Sequence, residues 1–341
     1  MEPLETHAFP YDNRPDYTVW RRSVGALAPA AIDPSAPVRF RLTQRERIAS
    51  AGSCFARHIA ENLRAHGYAY FATEADGDYS ARFGNIYSTL QLLQLFESAF
   101  GTFRPCESVW RQGERFVDAL RPREYPAGFP SPEAVEAARA RHLAAVRELF
   151  LRLDVLVFTL GLTETWCARA DGTAYPVCPG KGLGEFDPAR YVFRNLGVAE
   201  NIELLDAFIT RLAAVNPGAR VILTVSPVPL AATMEDRHVL QSTIASKSVL
   251  RVSADEMRRR HANVEYFWSY DIVSGTFNNE RYFEPDRRNV NERGVAHVIE
   301  SFFRHFGDPA HIASAEPAPA RAVFDPCDEE RLNALLAKEF S

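Results

Sequence analysis

No apolar run in this sequence approaches the ~18 residues that a membrane-spanning helix needs. The first residues, Met1-Glu2-Pro3-Leu4-Glu5-Thr6-His7, have neither a basic start nor an apolar core, so no secretory signal is expected. Cysteine is scarce: there are five, an odd number at irregular spacing, which speaks against a disulfide framework and for a reducing compartment. Cys167 and Cys178 could clip a hairpin but are read as free thiols, and the protein is expected to be cytoplasmic. Charge of one sign is also lacking. A net charge of −5 and a pI near 6.0 give no general pull toward nucleic acid or an anionic membrane. What is present, 341 residues with 46% hydrophobic and 24% charged, suffices for one large α/β domain or two smaller ones.

Residues 1–42 are rich in Pro, Arg and aromatics (Phe9, Tyr11, Tyr17, Trp20) without a period. They are expected to form an arm that packs along the body or across a partner subunit, so a homo-oligomer stays open. From 43 to 310 apolar strands alternate with long amphipathic helices. The strand stretches are Ile48–Ala51, Asp154–Leu160, Val221–Val225 and Val264–Phe267, and the continuous run of the second marks burial on both faces. Ser131-Pro132-Glu133 opens a helix as cap, first-turn proline and early acid. This alternation implies an α/β fold with a doubly wound, mostly parallel sheet, carrying insertions at 101–130 and 167–195. Residues 311–341 read as a linker and a C-terminal helix around Glu329–Glu339. The glycine loop Pro179-Gly180-Lys181-Gly182 is no phosphate loop, because Ser or Thr is missing after its lysine.

One stretch organises the rest. Ile48-Ala49-Ser50-Ala51 runs into Gly52-Ser53-Cys54 and straight into a helix whose Phe55, Ile59 and Leu63 share a face. A strand-to-helix junction offers free N–H groups and a partial positive charge, which lower a thiol pKa and stabilise an oxyanion. The same tripeptide also suits an N-cap with a buried thiol.

Gly52-Ser53-Cys54-Phe55-Ala56 resembles the signature of the GSCFA family, which is similar to the SGNH, or GDSL-type, esterases and acyltransferases; the likeness runs over residues 46–306. It implies a sheet of SGNH-hydrolase (flavodoxin-like) type. Laid over Gly-Asp-Ser, the nucleophile falls on Cys54 and Ser53 takes the Asp position. Gly84-Asn85 matches the second-block glycine, an oxyanion donor. Gly161-Leu162-Thr163-Glu164 matches Gly-x-Asn-Asp, with Thr163 as donor. Thr224–Pro229 and Ser246-Lys247 match further strings of the family. The expected Asp-x-x-His reads Asp286-Arg287-Arg288-Asn289, so its histidine is absent. Of the nine histidines, His238 lies in a polar loop after the third strand and becomes the candidate base, oriented by Asp286 or Glu164.

The resemblance implies acyl transfer, by an O-acyltransferase or acyl esterase, on a carbohydrate or glycan precursor through a Cys54 thioester. No metal or resident cofactor is implied, although an acyl-CoA donor fits. The alternative is a non-catalytic carbohydrate-binding protein on the same fold, with Trp110 and Trp166 as an exposed aromatic platform and Asn289 as the relic of a lost histidine.

Overall fold

A run that is apolar at every position needs cover on both faces, and parallel strands between helices obtain it. In the computed structural model, which describes residues 9–314 except 76 and 181, the chain does this four times. β1 (Ile48–Gly52) leads into α1 (Ala56–Ala65) and α2 (Thr89–Ala99), and a hairpin of β2 (Val109–Gln112) and β3 (Arg115–Asp118) precedes the long α3 (Pro132–Arg152). β4 (Val155–Leu160) is followed by β5 (Glu164–Ala168), β6 (Ala174–Tyr175), β7 (Tyr191–Asn195), α4 (Val198–Val215) and β8 (Arg220–Val225). α5 (Val239–Arg260), β9 (Val264–Phe267), α6 (Ser269–Ser274), α7 (Glu292–Phe306) and α8 (Pro309–Ser314) complete the order. The expected linker beyond Ser314 and the terminal helix lie outside the described residues, as does Lys181. No described helix is long and apolar enough to cross a membrane.

β1, β4, β8 and β9 form one sheet in that spatial order, and every pairing is parallel. A further contact lies on the outer side of β1. Tyr70 bridges Ile48 in parallel register, the Ile48 N–H donating to Ala69 O and the Phe71 N–H to Ile48 O. The chain thus steps outward from β1 to the Tyr70 edge, returns past β1 to β4, and continues to β8 and β9. Right-handed crossovers running in opposite directions put their helices on opposite faces. The packing agrees: α1 lies on β1, β4 and α7, while α2, α3, α4 and α5 pack on one another and α5 covers β8 and β9. Where the direction reverses, at the carboxyl ends of β1 and β4, an open sheet leaves its crevice.

A second layer grows from that edge. β5 begins four residues past the end of β4 and pairs antiparallel with β6 and β7. Between this small sheet and the β2–β3 hairpin sits a separate core of Trp110, Val117, Ala119, Ala168, Tyr175 and Tyr191. Trp110 is therefore not the exposed platform residue expected from the sequence. It is 2% exposed and packs against Tyr175 and Tyr191 at 4.9 and 6.4 Å between ring centroids. Gly184 makes the room, since a Cβ there would lie 2.9 Å from the indole.

The arm divides in two. Phe9, Tyr11, Tyr17 and Trp20 are exposed on this chain, whereas Ile32 and Leu42 are buried. Asp33 accepts hydrogen bonds from Ser301, Arg304 and His305, and the Leu42 N–H donates to Phe306 O, so residues 32–42 are fastened along α7.

Candidate functional site

Gly52 makes the turn that positions everything after β1. Its φ is +131°, and a Cβ would lie 2.3 Å from Thr159 O, so no other residue fits between β1 and β4 at this point. The Ser53 N–H donates to Thr159 O at 3.0 Å and the Ile86 N–H to Gly52 O at 2.9 Å, which locks the turn to β4 and to the loop before α2. α1 then starts at Ala56 without a side-chain cap. Ser53, a residue type favoured as a cap, is not used as one. Its Oγ is buried and makes no hydrogen bond among the described residues. Cys54 is half-buried and in no disulfide.

Three more loops reach the same edge. The carbonyl of Tyr87 accepts from the N–H groups of Gly161 and Leu162 at 3.1 and 2.9 Å, and Ser88 with Gln91 forms the capping box that fixes this loop to α2. Lys247, on α5 and 1% exposed, donates its Nζ to Gly161 O at 2.7 Å. The turn at 286–289 is closed by its own first residue: the Asp286 carboxylate accepts from the N–H groups of Arg288 and Asn289 and from the Asn289 amide at 2.6 Å. Burial would raise the Asp286 carboxyl, but these bonds hold it below its usual range.

Together these loops enclose a cleft of about 10 Å³, space for roughly one water. Its walls include Ser53, Cys54, Tyr87, Ser226, Lys247 and Arg288. Two of these are cationic, and no carboxylate stands among the described residues that line it.

Of the residues expected at the site, Ser53, Cys54 and Lys247 meet there. Gly84 and Asn85 do not line the cleft. The Tyr79 hydroxyl donates to Asn85 Oδ1 at 2.6 Å and reaches Ser53 O at 3.3 Å, tying this loop to the elbow. Burial pushes the Tyr79 phenol well above its ordinary value; Arg57 opposes the shift and Cys54 adds to it. Thr163 is buried beside the cleft but turned from it, its N–H on Ser246 Oγ and its hydroxyl donating to Asn195 Oδ1 at 2.7 Å. His238 is exposed and caps α5, its Nδ1 accepting the Leu240 N–H at 3.1 Å. It does not line the cleft. Arg288, Tyr79 and Tyr87 were not singled out from the sequence. Only Arg288 carried a signal there, as a cation inside the block where a histidine was sought.

Glu164 and Trp166 belong to a different space. They line a cavity of about 520 Å³, which falls within the ~300–1,000 Å³ of small-molecule sites. Tyr87 and Leu162 stand in the walls of both cavity and cleft. Glu164 accepts from the Thr233 hydroxyl at 2.5 Å and the Met234 N–H at 3.3 Å, and burial raises its carboxyl despite those bonds. Among the described residues no cluster of three or more His, Cys, Asp or Glu could hold a metal ion.

The GSCFA family model matches residues 47–302, a span that begins just before β1 and ends inside α7. The chain belongs to the GSCFA family. The GSCFA span takes in the elbow, all four strands of the parallel sheet, the cleft and the cavity, and leaves the aromatic arm outside. Comparison with curated proteins gives no match.

Proposed function

We propose that this GSCFA protein is an acyl-transfer enzyme of SGNH-like, flavodoxin-type architecture, an O-acyltransferase or acyl esterase that works through a thioester on Cys54 and acts on a carbohydrate or glycan precursor. The observation that carries the proposal is the position of Cys54 in a cleft at the carboxyl edge of a parallel sheet, walled by Lys247 and Arg288 and by no acid. Neighbouring cations favour a thiolate over a thiol and also favour the oxyanion that forms when a carbonyl is attacked. The strand order with its Tyr70 edge supports the SGNH-like assignment. Among the described residues Cys54, Cys106, Cys167 and Cys178 form no disulfide, which supports a cytoplasmic setting.

In the first step Cys54 sulfur bonds to the acyl carbon, the bond to the leaving oxygen, or to sulfur of an acyl-CoA donor, breaks, and the thiol proton ends on the leaving group. In the second a sugar hydroxyl or water attacks the thioester, the C–S bond breaks, and the proton returns to sulfur. With His238 employed as a helix cap, ionisation of Cys54 by its cationic walls replaces a histidine base. The decisive experiment is intact-mass analysis of the protein mixed with a p-nitrophenyl acyl ester. An acyl adduct on wild type and none on Cys54→Ala is the expected result; an adduct on both, or on neither, overturns the proposal.

The second reading, a non-catalytic carbohydrate-binding protein, is favoured by one observation: Asn289 closes a turn with Asp286 where a histidine was expected. The alkylation rate of Cys54 separates the two. A thiol that reacts no faster than a free cysteine at pH 7 belongs to the binder.

A further inference from the structure

The large cavity has no part in the chemistry described above, yet it adjoins the cleft that holds Cys54. The two spaces meet at Tyr87 and Leu162, which line both, cluster with Leu230 and are held together by the Gly161 and Leu162 N–H bonds to Tyr87 O. The rest of the cavity wall is mainly aromatic and aliphatic, and includes Trp166, whose ring meets those of Phe186 and Phe193 edge to face at 5.3 and 5.8 Å.

Most of the polar groups of the wall are committed within the protein. Glu164 is bound to Thr233 and Met234, the Thr165 hydroxyl donates to Tyr175 O, and Gln91 Oε1 takes the N–H groups of Tyr87 and Ser88. Arg123 is likewise engaged. A sugar needs a ring of free donors and acceptors, and this wall spends most of its own internally. An alkyl chain needs none.

We propose that the cavity receives the apolar chain of an acyl group whose carbonyl end lies in the Cys54 cleft. The assignment of a carbonyl to that end rests on the acyl-transfer reading; the assignment of an alkyl chain to the cavity rests on the wall. A cavity of ~150 Å³ takes benzene, so at equal filling about 520 Å³ holds roughly twenty carbon atoms, enough for a medium or long chain. A carboxylate at the chain's head meets Lys247 and Arg288. Cys178, also in the wall, has its thiol pushed up to about 11 by burial and takes no part in the transfer.

The test is displacement of a dansyl-labelled undecanoate from full-length Cys54→Ala protein by straight-chain carboxylates from butyrate to dodecanoate, with glucose as the polar comparator. Affinity is expected to rise by up to about fourfold per added methylene, and glucose to displace nothing. Val177→Trp, which fills the cavity, and Phe186→Glu, which puts a charge on a residue already 44% exposed, should each weaken decanoate binding at least tenfold. Equal binding of butyrate and decanoate, or decanoate binding untouched by both variants, overturns the proposal. Intact mass of wild type after p-nitrophenyl octanoate separates the two levels: chain-dependent binding without an acyl adduct keeps the chain site and removes acyl transfer, whereas acylation at equal rates from acetyl and octanoyl esters keeps acyl transfer and removes the chain site.

Discussion

The cleft at Cys54 has room for about one water and is walled by two cations, whereas the space beyond Tyr87 and Leu162 measures about 520 Å³ and is lined mainly by rings and alkyl groups. Both are built at the same end of the parallel sheet, but from different parts of the chain. The cleft comes from strand ends, from the amino half of α5 and from the turn at 286–289. The cavity comes from β5, β7 and the 175–186 and 230–234 loops, fixed by a second core. Reactivity and recognition can therefore be changed separately. Two thiols, Cys54 in the cleft and Cys178 in the cavity wall, report on the two environments.

The largest effect is expected from the thiol itself. Cys54→Ala should abolish acyl transfer, a loss of at least ~10³-fold by the scale of nucleophile removal. Ser53→Ala should lower the rate only partly, and because Ser53 Oγ has no hydrogen bond to lose, unfolding should show no loss of stability. Opposite outcomes in the steady-state rates would pass the nucleophile's role to Ser53 and break the contrast between the thiols.

Next comes the charge beside that thiol. Lys247→Met removes a cleft cation together with its bond to Gly161 O. Alkylation of Cys54 by iodoacetamide at pH 7 should slow about fivefold or more, because a thiol that loses a neighbouring cation is ionised less. Alkylation of Cys178, already slow with its thiol near 11, should not change. A uniform change at both cysteines, read by peptide mapping, would mean that the substitution loosened the fold rather than the cleft.

His238 tests how far the sequence could see. His238→Ala should cost about 0.5–2 kcal/mol of stability as a lost helix cap, measured by urea unfolding, and should alter the transfer rate less than ~3-fold. A fall of ~10²-fold or more, with loss of a limb in the pH–rate profile, would restore it as the base. The sequence singled out His238 because it follows β8 on the correct edge, but no pattern discloses that its Nδ1 lone pair receives the Leu240 N–H. Thr163 is a similar case. Its strand end was legible, yet the direction of its hydroxyl depends on the pairing that places Glu164 opposite Asn195, a long-range contact of β5 with β7. The four parallel strands were legible because burial on both faces demands an unbroken apolar run. β7 and the burial of Trp110 were not, since Tyr191–Asn195 mixes aromatic and polar residues and the indole's cover comes from Gly184 and two distant tyrosines.

The smallest effect sharpens the boundary between the two spaces from the apolar side. Burial raises the Glu164 carboxyl above its ordinary value of 4.5, with the Thr233 and Met234 bonds acting against it. The folded protein consequently takes up this proton at a higher pH than the unfolded chain does, so ionisation of Glu164 weakens the fold as pH rises through the raised value. Glu164→Gln keeps the shape, accepts from Thr233 and cannot ionise. Relative to wild type it should melt about 1–2 °C higher at pH 7, a small effect because the carboxylate is only half-buried. As pH falls through the raised value toward 4.5, wild type recovers its proton and the difference should close. A difference in Tm that is constant with pH would show that the substitution acts through the Met234 contact alone, and a variant less stable at every pH would show that the cavity wall holds a carboxylate comfortably, contrary to its apolar character.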